Sequence, residues 1–142
     1  MNQKGIESMP YVLLISIFII LFAVSIFSMQ MNDLTSFKEQ KEMYDSLQTM
    51  IDKMQIMKAS SDYGSFNRIT LYVPSGHYVR FNEDDKIEVL NEDSVVNTIN
   101  LKSVYINITK VNSIETLGRG THEIILQYGG SLKETNHSIT FK

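Results

Sequence analysis

The chain has 142 residues, a formal net charge of -3 and no cysteine. That length allows one small globular unit and an anchor, and the acidic balance gives no basic face for a nucleic-acid partner. The missing thiols exclude disulfides, thiolate nucleophiles and cysteine-held metals, so any exterior domain must hold together by packing alone.

The mean hydropathy of -0.09 conceals a strong asymmetry. Residues 9–29 read MPYVLLISIFIILFAVSIFSM, and no Asp, Glu, Lys, Arg or His falls between Ser8 and Asn32. As a helix that run would span about 32 Å, against a hydrocarbon core of about 30 Å. A chain this small has no core that could bury the run on every side, so the segment is expected to enter a membrane. Ala23-Val24-Ser25 offers a small-x-small site for ordinary secretory cleavage. However, the apolar run continues through Ile26 and Phe27, and Glu7 dilutes the positive start that such a signal needs. Orientation by charge is nearly tied, with Lys4 on one flank and Lys38 and Lys41 on the other.

From Asp33 the helical period continues in polar company. Phe37, Tyr44, Leu47, Ile51 and Met54, flanked by Met43, Met50 and Met57, recur at helical spacing. Lys38, Lys41, Glu42, Asp45, Asp52 and Lys53 form the opposite face. No glycine or proline intervenes before Gly64. Residues 33–59 therefore read as an amphipathic helix continuous with the apolar one, its methionine stripe suited to core packing. The heptad register at 44, 47, 51 and 54 is too short for a coiled coil.

Ser60-Ser61-Asp62-Tyr63-Gly64-Ser65 breaks the helix, and short β-type runs follow. Residues 68–73 alternate, with Ile69, Leu71 and Val73 on one face. Pro74-Ser75-Gly76 predicts a tight turn. Residues 78–81, 86–90, 95–101, 104–109, 123–128 and 137–141 are further expected strands, spaced as in a small antiparallel β-sandwich. The helix is the natural second layer for such a sheet. The fold class expected is thus α+β.

Few residues suggest chemistry. His77, His122 and His137 lie in or beside separate strands and lack metal-ligand spacing. The acidic turns Asn82-Glu83-Asp84-Asp85 and Asn91-Glu92-Asp93 lack the pattern of a calcium loop and read as solvated hairpin turns. Gly118-Arg119-Gly120 has no strand-to-helix context for cradling phosphate, and no GxSxG elbow occurs. No catalytic residue, metal site or cofactor is expected. Asn107-Ile108-Thr109 and Asn136-His137-Ser138 match the N-glycosylation sequon, which makes Asn107 and Asn136 candidate acceptors.

Lys4-Gly5-Ile6-Glu7, followed by an uninterrupted apolar helix, resembles the class III signal of type IV pilins, especially archaeal pilin-like and archaellin-like proteins. The resemblance covers the chain by architecture and its first 30 or so residues by motif. RITLYVPSGHYVRF, KIEVL and THEIILQYGG are a weaker likeness to the family's β-domain. The resemblance implies cleavage after Gly5 by a prepilin-peptidase-like enzyme, with Ile6 as the first mature residue and Glu7 a filament or anchor contact. It implies a leader at 1–5, a membrane or filament-core helix at 6–31, an amphipathic helix at 32–60 and an extracellular β-domain at 61–142. The partners implied are the membrane and copies of the chain or other pilins. In the commonest family pattern a glutamate stands fifth in the mature chain. Here Pro10 stands there, which leaves open a second reading: a single-pass anchored accessory protein that does not polymerise.

Overall fold

The computed structural model describes residues 9–82, 84–130 and 136–142. Lys4, Gly5, Ile6 and Glu7 lie outside the described residues. By internal contacts the chain divides into two compact units, residues 1–38 and 39–142.

One helix, α1 (Met9–Ser60), belongs to both units. Nothing between Pro10 and Gly64 interrupts it, because that stretch has neither the proline that removes an N–H nor the glycine that loosens the backbone. In the first unit the Val, Leu, Ile and Phe side chains from Val12 to Phe27 are exposed. In the second, Met43, Leu47, Met50, Ile51, Met54 and Met57 are buried in one cluster with residues of the β-strands, and Tyr44 packs at its margin. The methionine stripe is therefore core. Phe37 is the exception to the expected apolar face: it is 68% exposed, because it lies among residues 1–38, ahead of the turns that the β-domain covers.

Among the described residues eight strands follow: β1 (Phe66–Val73), β2 (His77–Asn82), β3 (Lys86–Asn91), β4 (Ser94–Asn100), β5 (Ile108–Asn112), β6 (Thr116–Leu117), β7 (Gly120–Tyr128) and β8 (Ser138–Phe141). They form two four-stranded sheets, ordered β1-β7-β8-β5 and β4-β3-β2-β6. Both feed the same core: Leu71, Ile124, Leu126, Ile139 and Phe141 from the first, Val79, Phe81, Ile87 and Val89 from the second. The predicted alternation in β1 holds, with Ile69, Leu71 and Val73 inward. The predicted turn holds as well, closed by the His77 N–H on the Pro74 carbonyl (3.3 Å), with Gly76 at φ +77°. Only glycine takes that backbone freely.

Three expectations are corrected. The sheets are antiparallel except at β7 and β8, which pair in parallel. Hydrophobic alternation sets which face is buried and carries no information on strand direction. The run 104–109 is not one strand: Leu101–Val104 is a 3-10 turn, Tyr105 is left-handed at φ +59°, and β5 begins only at Ile108. The Asn100 side chain caps that turn by accepting the Lys102 N–H (3.0 Å), and its Leu101 is buried. A capped turn with an apolar anchor outcompetes the strand preference of Val, Tyr and Ile. The third concerns the stretch between 109 and 123, where no strand is expected: β6, two residues against β2, is too short for any periodic signal.

α1 also touches a sheet edge. β1 is the outer strand of its sheet, and its Tyr72 N–H, turned away from partners in the sheet, donates to Ser46 Oγ of α1 at 3.3 Å. The contact satisfies one outward-facing N–H of an edge strand whose Phe66, Arg68 and Thr70 side chains are exposed. If α1 is a wall of the core, Leu47→Ala should destabilise the β-domain by about 2–5 kcal/mol, and Phe37→Ala by no more than about 0.5 kcal/mol. Urea unfolding of the full chain in mild detergent, followed by tyrosine fluorescence, measures both.

Candidate functional site

The residues that could carry chemistry are dispersed. His77 Nδ1 lies 3.2 Å from the Ser75 carbonyl, and His122 Nε2 lies 2.8 Å from the Gly118 carbonyl. Each imidazole is engaged with backbone near its own strand end, and His137 is exposed ahead of β8. Among the described residues no three His, Asp or Glu side chains gather where a metal could sit. A groove of about 540 Å³ runs over the β2–β3 sheet, lined by Tyr78, Arg80, Leu90, Glu92, Asp93 and Thr116. Its arginine is committed to Glu88, directly across the ladder, at 3.4 Å. On α1, Asp45 accepts a hydrogen bond from Lys41 (2.8 Å) and raises its pKa above the ordinary lysine value. Both side chains are solvent-exposed, so this is a helix-surface pair rather than an activated amine.

The acidic turn between β2 and β3 departs from its solvated reading. Asp85 is buried at φ +61°. Its Oδ1 accepts the Ile108 N–H at 2.6 Å, its backbone carbonyl accepts the Leu101 N–H at 2.8 Å, and Lys102 Nζ stands 3.8 Å from Oδ2. One residue thus anchors both the 3-10 turn and the start of β5. Aspartate suits the position because it tolerates left-handed backbone and supplies an acceptor for an N–H that would otherwise be buried without a partner. The other acidic turn, Asn91-Glu92-Asp93, is exposed, as expected.

The sequon asparagines are both on the surface. Asn107 is exposed just before β5, its backbone exchanging hydrogen bonds with Lys142 (3.0 and 2.9 Å). Asn136 is exposed ahead of β8. The third sequon positions differ, Thr109 being exposed and Ser138 fully buried.

The feature with the largest physical consequence is the apolar part of α1. By length and composition it is apolar enough to cross a membrane, and none of the described residues buries it. Each fully buried Val, Leu, Ile or Phe contributes about 1.5–3 kcal/mol relative to water. Over this run the total is on the order of 20–40 kcal/mol, more than the about 5–15 kcal/mol that holds a typical domain folded. Cover by lipid or by other helices would relieve that cost. Its polar side chains are prepared for that setting: Ser16, Ser25 and Ser28 hydroxyls donate to the carbonyls of Val12, Leu21 and Val24 at 2.8, 2.8 and 2.9 Å. A hydroxyl satisfied by its own helix adds little to the cost of leaving water.

No family model, curated protein or solved structure matches the chain. The Asp85 anchor makes a separate prediction. Asp85→Ala strands the Ile108 N–H and should cost about 1–3 kcal/mol. Asp85→Asn keeps an acceptor and the left-handed backbone and should recover most of that loss in the same urea titration.

Proposed function

We propose that the chain is a pilin-like structural subunit, major or minor, of an extracellular filament of the type IV pilus or archaellum kind. The apolar helix would first sit in the cell membrane as a single pass, with the β-domain outside. It would then leave the lipid to bundle with the same helix of other subunits. In both settings the helix is covered by apolar neighbours, so the transfer exchanges one dry environment for another.

One observation carries this reading. A single helix supplies both a charge-free segment whose exposure to water is costly and a buried wall of the β-domain core. A segment of that kind serves to fix the domain to something apolar, and the Lys4-Gly5-Ile6-Glu7 start says which export route would deliver it. Pro10 supports the second reading, a non-polymerising single-pass anchor that displays the β-domain. Proline holds the position where the filament family most often has the glutamate that pairs with a neighbouring subunit's amino terminus. Asn107 and Asn136 would carry any glycan on the outer face.

Under the filament reading the native protein begins at Ile6, grows heavier when the leader peptidase is blocked, and sediments with filaments sheared from cells. An intact Met1 with the protein extracted by detergent as a monomer selects the plain anchor. A soluble form beginning at Ile26 contradicts both.

A further inference from the structure

β4 is the outer strand of its sheet, hydrogen-bonded to β3 on one side. Its sequence, SVVNTIN, has no charge and no proline. Every residue is exposed except Ile99, which is half-buried, and Val95 and Val96 stand 50% and 53% exposed. Such a strand gains almost nothing from packing in its own subunit. Edge strands normally carry a charge, a proline, a bulge or a cover; β1 carries Arg68, and its Tyr72 N–H is held by Ser46. The device seen in β4 is a bulge at Val96, where Val89 pairs with Asn97 and Leu90 with Val95. It leaves both valines on the surface.

The charges flanking the strand are ordered by sign. Glu92 and Asp93 precede it and Lys102 follows it, while Lys86 of β3 lies opposite Asn100. All four are exposed, and Lys102 keeps its side chain 65% exposed despite its long contact with Asp85. β4 therefore has an acidic end and a basic end with an uncharged middle.

We propose that the free edge of β4 pairs antiparallel with β4 of a second copy of this chain, about a two-fold axis near Asn97. Antiparallel pairing sets the acidic end of each strand against the basic end of the other, twice per dimer. Parallel pairing would set like charges together. Ladder hydrogen bonds complete the open edge on either side of the bulge, and about that axis Val96 of each copy faces Thr98 of the other and Val95 faces Ile99. A partner of other sequence would need the matching charge order, whereas β4 is complementary to itself, as a closed two-fold contact requires. The inference goes beyond the filament reading and does not depend on it. A two-fold contact does not propagate along a filament, so it would join two filaments side by side or two anchored chains.

The chain has no cysteine, which makes crosslinking a direct test. The full-length Asn97→Cys variant, oxidised mildly in detergent and in native membranes, should form a disulfide-linked dimer. Thr70→Cys, on the exposed face of the edge strand β1, should react with maleimide equally well yet stay monomeric. Adding Lys102→Glu to Asn97→Cys should lower the dimer yield severalfold, and adding Glu92→Lys to that pair should restore it. The proposal is overturned if Asn97→Cys dimerises no better than Thr70→Cys, if the yield ignores the charge changes, or if the cysteine is captured by a different protein.

Discussion

The β-domain depends on a helix face that it shares with an apolar segment. Met43, Leu47, Met50, Met54 and Met57 are buried at 0–3% exposure in the cluster that both sheets build. Each such side chain contributes about 1.5–3 kcal/mol, so together they rival the whole stability of a typical domain, about 5–15 kcal/mol. Without disulfides and with roughly 80 residues of sheet and loop, the strands alone would close a thin core. The helix fills it, and its Ser46 also gives the Tyr72 N–H of an edge strand a partner. Methionine suits this duty because its unbranched, polarisable chain fills the irregular gaps between a helix and two twisted sheets.

Residues 9–60 form one helix, and its turns from Met43 to Met57 belong to the β-domain's core. Both readings of function use the same feature. They differ only in whether lipid or neighbouring helices cover the apolar turns, and the helix's self-satisfied serines are compatible with either.

Smaller locks complete the domain. Tyr63 lies edge-on to Tyr128 at 6.0 Å, and Tyr128 in turn tilts against Phe141 at 5.7 Å. The Tyr63 ring passes 2.0 Å from where a Cβ on Gly129 would stand, and Gly129 adopts φ +62°, so a side chain there would strain the backbone and displace the exposed Tyr63 ring. Lys58, in the last turn of α1, donates to the Tyr105 carbonyl. That contact ties the helix end to the left-handed residue that closes the 3-10 turn.

Much of this architecture was legible in the residues. The helix showed itself through the unbroken absence of glycine and proline and the methionine spacing, and β1 through strict alternation. Phe37 was placed on the buried face because period alone does not say where the covering domain ends. The 3-10 turn was hidden because Val104, Tyr105 and Ile106 look like strand. What decides their backbone is the Asn100 cap and the carboxylate of Asp85, brought close only by folding. Asp85 itself sat in an acidic stretch indistinguishable from a solvated turn. The open edge of β4 was invisible as well, since SVVNTIN reads the same in a central strand. The account's physical centre is that α1 and the sheets form one cooperative core. Amide hydrogen exchange on the full chain in detergent measures this directly. Residues 43–57 should exchange as slowly as β7 and lose protection together with it as urea is raised. Fast exchange across 43–57 while β7 stays protected would show that the strands stand without the helix, and would contradict the account.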